Sequence, residues 1–242
     1  MTLYAGTSGY SYKEWKGNFY PNDLPAPKML GYYASKLPAV EINNTFYRLP
    51  KASVLESWAV QVPQDFRFAL KASRRITHIK RLKDAAEETD YLLQTTQALK
   101  GALGVVLFQL PPYLRKDLPR LDQFLDGLPE NTRAAFEFRH PSWFDDEVFE
   151  RLRARNLALC VTDTDDDSDE TSIVSTARWG YLRLRRADYV PDHLGEWVER
   201  VRAQDWEDVY VFFKHEDEGA GPKLAARFLE LANASSTPFP SP

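Results

Sequence analysis

Short apolar runs alternate with longer amphipathic segments from one end of the chain to the other. The short runs are rich in branched and aromatic residues, which are typical of strands. They predict eight strands, at Leu3–Gly6, Val40–Asn43, Arg67–Lys71, Leu103–Gln109, Ala134–Arg139, Ala158–Asp163, Gly180–Arg185 and Val209–Lys214. The segments between them have helical apolar spacing and predict seven helices, at Lys28–Lys36, Ser53–Val62, Ala85–Leu99, Leu118–Leu128, Asp145–Asn156, Leu194–Gln204 and Pro222–Ala232. Only the sixth connection, Thr164–Trp179, is predicted to lack a long helix.

Strands that are separated by crossovers pair in parallel, so the order of elements predicts an α/β fold. Eight such units in 242 residues fit a (β/α)8 TIM-type barrel, whose usual size is about 250 residues. The rival is an open doubly wound sheet, but Gly6 and Gly9 do not form the glycine-rich nucleotide turn that this fold usually carries. We therefore predict a single barrel domain over residues 1–234. The serine- and proline-rich tail at 235–242 is predicted to be disordered.

Each predicted strand divides into two faces, because side chains alternate along a strand. In the third strand one face is wholly apolar, and the other carries Arg67 and Lys71. The apolar face suits packing beneath the helices, so the mixed face must point into the barrel, where it becomes charged toward the C-terminal end. The strands together predict one cluster of polar side chains at the C-terminal mouth, made up of Glu41, Asn43, Lys71, Gln109, Glu137, Arg139, Asp163, Arg183 and Lys214.

The position of this cluster favours a binding site, because active sites of barrels lie at the C-terminal mouth. For any single residue, an ion pair that only supports the barrel is an equal alternative. Three histidines, His78, His140 and His215, follow strands that end at the same mouth and are candidate acid–base groups. Tyr10 begins a group of aromatic residues in the first loop. These rings could stack on a sugar or a base, although packing over the barrel is the simpler interpretation.

Two runs of charge lie beside predicted strand ends. Lys71–Lys83 contains six basic residues and no acid, so it could hold phosphates or a nucleic acid strand. The alternative is a solvated helix start that is balanced by Glu87 and Glu88. The second run, Asp163–Glu170, begins like a calcium-binding loop but lacks the required glycine and closing glutamate, so we reject that interpretation and keep Asp163 in the mouth.

Composition narrows the classes of protein. The net charge of −4 argues against a generally basic surface for nucleic acid. Cys160 is the only cysteine, which excludes an internal disulfide and a multi-cysteine zinc site, and its apolar neighbours indicate a buried residue. No apolar run approaches the roughly 20 residues of a membrane span, and no signal peptide is recognisable, so the cytoplasm is the expected compartment.

Several motifs resemble one family in order along nearly the whole chain. They are Gly6-x-Ser8-Gly9-Tyr10-x-Tyr12-x-x-Trp15, Phe19-Tyr20-Pro21, Val40-Glu41-Ile42-Asn43-x-Thr45-Phe46-Tyr47-Arg48, Phe66-x-Phe68-x-x-Lys71, Ile76-Thr77-His78, Phe108-Gln109-Leu110-Pro111-Pro112, Glu137-Phe138-Arg139-His140 with Trp143, and Tyr181-x-Arg183-Leu184. On these motifs the chain resembles the domain-of-unknown-function-72 (YecE-like) family. The resemblance implies a TIM-type barrel but brings no settled biochemistry.

The resemblance has two further implications. Barrels of this type are similar to endonuclease IV-like and xylose isomerase-like folds, which suggests nucleic-acid binding only by analogy of fold. The chain departs from a common family ending in which asparagines follow the last strand. Residues 213–218 read Phe-Lys-His-Glu-Asp-Glu instead, so the contribution of the eighth strand to the pocket is expected to differ.

Three hypotheses of function remain open. The first is a protein that binds or transforms a phosphorylated or otherwise anionic small molecule, by hydrolysis, elimination or isomerisation if it is an enzyme. Its candidate catalytic residues are Glu41, Glu137, Asp163 and His140. Its candidate ligand-binding residues are Tyr10, Asn43, Lys71, His78, Gln109, Arg139, Arg183 and Lys214.

The second hypothesis is a metal-dependent phosphodiesterase similar to endonuclease IV, with Glu41, Glu137, Asp163 and one histidine as ligands. Basic residues outnumber acids in the predicted mouth, which ranks this hypothesis lower. The third is non-catalytic binding of a nucleotide or nucleic acid through Lys71–Lys83. No motif indicates a cofactor, because the chain has no P-loop, no His-Glu-x-x-His helix and no Gly-x-Ser-x-Gly turn. The sequence does not predict an oligomeric state.

Overall fold

Eight parallel strands close into a barrel in chain order. The structure is a computed structural model that describes residues 1–163, 172–186, 188–214 and 219–234. Every strand pairs in parallel with the next one, and the eighth pairs with the first, which confirms the predicted barrel. The strands are β1 (Thr2–Ser8), β2 (Ala39–Ile42), β3 (Arg67–Lys71), β4 (Leu103–Gln109), β5 (Ala134–Glu137), β6 (Ala158–Thr162), β7 (Trp179–Leu184) and β8 (Asp208–Phe213).

In the described part of the chain, seven α-helices lie between and after the strands, as predicted. They are α1 (Met29–Ala34), α2 (Ala52–Ala59), α3 (Ala86–Thr96), α4 (Leu118–Asp126), α5 (Asp146–Ala154), α6 (Pro191–Arg202) and α7 (Ala220–Ala234). In the sixth connection, residues 172–178 form no helix, and 164–171 lie outside the described residues, as does the tail at 235–242. Among the helices of the described ranges, none combines the length and apolar character needed to cross a membrane.

The helices α1 and α3 end earlier than the apolar spacing predicts. Helix α1 is preceded by a 3-10 turn at Ala26–Lys28 that contains a proline, so the α-helical segment starts later and is short. After α3 the chain continues as a 3-10 helix, and Lys100 there has a φ of +52°. The predicted helix over Ala85–Leu99 is therefore α-helical only as far as Thr96 and 3-10 from Gln97, and the positive φ of Lys100 ends it there.

The interior of the barrel is filled by side chains from the inward face of the strands. The predicted alternation is confirmed, because Ala69, Ala135 and Tyr181 lie in this inner core, whereas Phe68 and Phe136 pack outside, beneath the helices. The inner core consists of Tyr4, Ala39, Ala69, Val105, Leu107, Ala135, Ala158, Cys160, Trp179, Tyr181, Tyr210 and Phe212. Cys160 is therefore a buried packing residue, as its apolar neighbours indicate, and burial raises the pKa of its thiol.

Aromatic rings form a layer across the barrel below the mouth. The rings of Tyr181 and Phe212 have centroids 5.4 Å apart, and the ring of Tyr210 lies 6.4 Å from each of them. All three side chains are buried. Tyr4 stacks on Tyr210 further down, and Arg133 pairs with the carboxylate of Asp208 at the N-terminal end. This aromatic layer separates the mouth from the other end of the barrel.

Five strands end before the last residue that was predicted for them. The predicted last residues Asn43, Arg139, Asp163, Arg185 and Lys214 lie just beyond β2, β5, β6, β7 and β8. The backbone has already turned at Asn43, whose φ and ψ are helical. Polar residues beyond the ladder belong to the loops that cover the mouth, and this is where barrels place their sites.

Candidate functional site

Arg183 lies between two buried carboxylates at the centre of the mouth. One terminal nitrogen of its guanidinium donates to Glu137 Oε2 at 2.6 Å, and the other donates to Glu41 Oε1 at 2.9 Å. Its Nε also donates to Glu41 Oε1, at 3.2 Å. All three side chains are at most 3% exposed. Strands β2, β5 and β7 are therefore connected through one cation.

Glu41 receives further hydrogen bonds from three elements. Ser8 Oγ donates to Oε1 at 2.7 Å, Asn43 Nδ2 donates to Oε1 at 2.9 Å, and the Tyr181 hydroxyl donates to Oε2 at 2.7 Å. Burial alone raises the pKa of Glu41, but the charge of Arg183 and these donors outweigh it and hold the pKa below its usual value. Glu41 is therefore an anion that is fixed on both oxygens.

Glu137 is fixed in the same way. Gln109 Nε2 donates to Oε2 at 2.8 Å, and Arg139 Nε donates to Oε1 at 2.9 Å. Burial raises the pKa of Glu137, yet the charges of Arg183 and Arg139 and the bond from Gln109 lower it to about 2. A carboxyl group with this pKa is a weak base near neutral pH, so Glu41 and Glu137 are better suited to holding Arg183 than to moving protons.

Lys71 has a different environment from the two arginines. It ends β3 on the inward face, and its Nζ lies 4.3 Å from the centre of the Phe46 ring. Among the described residues no carboxylate forms a salt bridge with it. Burial, together with the charge of Arg183, lowers the pKa of Lys71 to about 8, against the opposing effect of the buried carboxylates. Lys71 therefore changes its charge near pH 8.

His78 packs on the same aromatic ring. Its imidazole meets Phe46 edge to face, with ring centroids 4.9 Å apart, and its Nδ1 lies 2.9 Å from Thr77 Oγ1. Burial and the charge of Lys71 lower its pKa. His78 belongs to a π-helical turn, Arg75–Ile79, and such turns are frequent at functional sites. His78 and Lys71 thus contact the same aromatic ring at the mouth.

The basic run after β3 is partly neutralised. Arg75 Nε and Lys80 Nζ each lie 2.7 Å from a carboxylate oxygen of Glu88 at the start of α3. This contact supports the alternative of a balanced helix start over a surface for nucleic acid. Glu87 and Glu88 were expected to balance this run, and Glu88 forms the two salt bridges.

A small pocket lies beside the network, at the ends of β6, β7 and β8. It has a volume of about 310 Å³ and is lined by Asp163, Arg185, Arg186 and Lys214. The backbone N–H of Arg185 donates to Asp163 Oδ1 at 2.6 Å, and the N–H of Lys214 donates to the carbonyl of Leu184 at 3.0 Å. Burial raises the pKa of Asp163. The pocket thus combines three cationic side chains with one carboxylate, whose charged form is disfavoured by burial.

Two buried acceptor atoms at the mouth have no hydrogen-bond partner among the described residues. They are Asn43 Oδ1 and Asp163 Oδ2. Buried polar atoms are normally satisfied, so each of them is an open position for a donor.

Two candidate residues stand apart from the network. The Nδ1 of His140 lies 2.8 Å from Ser142 Oγ and accepts from the Ser142 N–H at 3.1 Å, so this ring caps a 3-10 turn at Pro141–Trp143. Tyr10 packs on Tyr33, with ring centroids 6.2 Å apart, in agreement with the simpler interpretation of the aromatic loop. His215 lies outside the described residues.

The metal alternative is not favoured by these contacts. The positive charge of Arg183 occupies the space between Glu41 and Glu137, where a cation would have to bind. Asp163 lies in the neighbouring pocket. Over the ranges that the structure describes, no group of three or more histidine, cysteine or acidic residues could hold a metal ion.

Sequence reasoning missed four contributors. Ser8 and Tyr181 bind Glu41, and Arg185 and Arg186 line the pocket. Ser8 was missed because the first strand was predicted to end at Gly6, two residues too early, and Tyr181 shares the inward face with Arg183. Arg185 stood on that face as well, as the last residue of its predicted strand.

A family model described as "Protein of unknown function DUF72" matches residues 4–242. The chain belongs to the DUF72 family. This confirms the resemblance that the motifs indicate. The DUF72 description carries no activity, so the site must be interpreted from its own geometry.

Relatives of this DUF72 protein cover it to different extents. It is 29% identical to the UPF0759 protein YunF of Bacillus subtilis, over 95% of this chain and 94% of YunF. It is 35% identical to the UPF0759 protein YecE of Escherichia coli K12 over 126 residues, which are 52% of this chain and 46% of YecE. The chain thus matches just under half the length of YecE.

A crystal structure of a DUF72 family protein from Thermotoga maritima resembles this fold with a TM-score of 0.77. The two chains are 24% identical, and the superposition covers 96% of this chain and 99% of the other. At this identity the likeness supports the barrel fold and nothing finer.

Proposed function

We propose that the mouth of the barrel binds a small molecule that carries a phosphate or another anionic group. The observation that carries this proposal is the positive charge at the mouth that is not used in the salt bridges of the buried network. Arg183 and Arg139 neutralise Glu41 and Glu137, whereas Arg185 and Lys214 form no salt bridge with a carboxylate of the described residues. An acidic protein with a cationic mouth attracts anions selectively to that end.

The pocket beside Asp163 is the proposed position of the anionic group. Arg185 follows β7 and Lys214 follows β8, and barrel enzymes frequently hold phosphate at the loops after these two strands. A volume of about 310 Å³ is at the lower end for small-molecule sites, which suits a phosphate with a short carbon chain.

The remainder of the ligand is proposed to carry hydroxyl groups. The open acceptors Asn43 Oδ1 and Asp163 Oδ2 need donors, which an anionic group cannot supply. A short phosphorylated polyol would supply both kinds of group.

Calorimetric titration with glycerol 3-phosphate tests the proposal. We expect saturable binding that weakens at least tenfold in Lys214→Met and in Arg185→Met, and that is absent for glycerol. Lys100→Met is the matched control, because Lys100 is exposed and precedes β4 at the opposite end of the barrel. Absence of binding, or equal affinity in all three variants, would contradict the proposal.

A further inference from the structure

The amine of Lys71 is the reactive group of the mouth that the binding proposal leaves without a role. The side chain rises from the inward face of β3, and its backbone carbonyl accepts from Thr45 Oγ1 at 2.7 Å, which fixes the strand end. The Nζ lies over the face of Phe46. The buried carboxylates of Glu41 and Glu137 form their salt bridges with arginines. Among the described residues, neither forms a salt bridge with this amine.

We propose that Lys71 forms a Schiff base with the carbonyl group of an anionic aldehyde or ketone that binds at the mouth. This inference rests on the proposed function: the anionic group would dock between Arg185 and Lys214, and the carbonyl group would extend across the mouth toward Lys71 at the end of β3. It assigns to the site a substrate class, a phosphorylated carbonyl compound, and a covalent step.

The electrostatic environment keeps a fraction of the amine neutral, as a nucleophile requires. Burial lowers the pKa of Lys71 to about 8, and the positive charges of Arg183 and Arg139 act in the same direction. The carboxylates of Glu41 and Glu137 act in the opposite direction, but each is already offset by an arginine. At pH 7 the neutral fraction is on the order of a hundred times that of a lysine with an unperturbed pKa.

The covalent step balances without an oxidant or a reductant. The lone pair of the neutral amine forms a bond to the carbonyl carbon, and the carbonyl oxygen takes up a proton to give a carbinolamine. A second proton on that oxygen allows the C–O bond to break, and one water leaves. Counting the proton lost by nitrogen, the step consumes one amine, one carbonyl and one proton and yields one iminium ion and one water.

Two neighbours fit this step. The Phe46 ring covers one side of the amine. Its face also stabilises the positive charge of the iminium ion once that ion has formed. His78 touches the edge of the same ring, and its lowered pKa leaves the imidazole neutral and able to exchange protons near pH 7. His78 is thus a positioned acid–base group outside the buried ion network.

Trapping with borohydride tests the proposal. The full chain is incubated with glyceraldehyde 3-phosphate, reduced with borohydride and digested, and the modified lysines are identified by mass spectrometry. We expect the reduced adduct at Lys71 at least tenfold in excess of that at exposed Lys100, with the yield rising as pH passes through about 8. Excess inorganic phosphate should protect Lys71.

The variants separate this proposal from the binding proposal. Lys71→Met should lose the adduct and still bind glycerol 3-phosphate, which has no carbonyl, with thermal unfolding as the check of its fold. If wild-type protein binds glycerol 3-phosphate but Lys71 is labelled no faster than Lys100, the Schiff base is refuted and the binding site stands. If Lys71 is labelled selectively but phosphate neither binds nor protects, the nucleophile stands and the anion site is refuted.

Discussion

Arg183 reaches Glu41 with two of its nitrogens, and both donate to the same carboxylate oxygen, at 2.9 and 3.2 Å. The third nitrogen is therefore left to bind Glu137. This geometry distributes one guanidinium over two carboxylates that have no access to water. Charges in such a place are stable only as a set, because removal of one member leaves the others buried without a partner.

Replacement of Arg183 by methionine is expected to destabilise the barrel strongly. The substitution keeps the length of the side chain but leaves two buried carboxylates without their shared cation, which costs about 3–5 kcal/mol for a broken buried pair. Urea denaturation at pH 7 measures the change. Arg178→Met is the control, since Arg178 is largely exposed and its ion pair with Glu207 lies on the surface. A loss below about 1 kcal/mol in Arg183→Met would show that the network contributes little.

Glu137 makes the stability depend on pH in the acid range. Its folded pKa of about 2 is lower than the ordinary value near 4.3, so its contribution is present above about pH 4.3 and is lost as the pH falls toward 2. The loss is about 3 kcal/mol by linkage. Urea denaturation between pH 5 and 2 should show a shallower decline in Glu137→Gln than in the wild type. Parallel curves would contradict this assignment of the low pKa.

Asp163→Asn is expected to strengthen the binding of glycerol 3-phosphate. The amide keeps an acceptor for the N–H of Arg185 and removes a negative charge from the pocket, and this gain exceeds the loss of Oδ2 as an acceptor for a hydroxyl of the ligand. Removal of a like charge at about 5 Å in a partly solvated site corresponds to roughly a three- to tenfold gain in affinity. Asp126→Asn serves as the control, because Asp126 pairs with Arg155 on the surface at the end of α4. Weaker binding in Asp163→Asn would place the ligand elsewhere.

Cys160 is expected to be unreactive in the folded protein. It is buried in the inner core, and burial raises the pKa of its thiol, so the reactive thiolate is disfavoured. Iodoacetamide at pH 8 should label it only after denaturation. Labelling of the native protein at the rate of the unfolded chain would indicate that the barrel interior opens readily.

The alternation of side chains predicted the barrel and most of the network. Glu41, Glu137 and Arg183 were placed at one mouth because parallel strands of a barrel end together, and this needs no knowledge of distance. The sequence could not predict that Arg183 pairs with Glu41 and Glu137, because this depends on which side chains face each other across the barrel. Arg183 was expected to bind the ligand, and the structure shows that each of its three nitrogens donates to a carboxylate.

The role of His140 shows a second limit. A histidine after a strand satisfies the rule for a mouth residue, but the next turn contains Pro141 and Ser142, and the ring caps that turn. Local hydrogen bonds of this kind compete with a position in the site. By contrast, nothing in the sequence distinguished Lys71 from the other cations, because its lowered pKa comes from burial beside residues far away in the chain.

The aromatic layer of Tyr181, Tyr210 and Phe212 determines how molecules can exchange with the mouth. Because these rings are buried and pack closely, they close the interior of the barrel to a small molecule that would pass from one end to the other. A ligand must therefore enter and leave the site through the C-terminal mouth. A molecule bound at the mouth should therefore exclude a second one, so a compound that resembles glycerol 3-phosphate is expected to compete with it for binding.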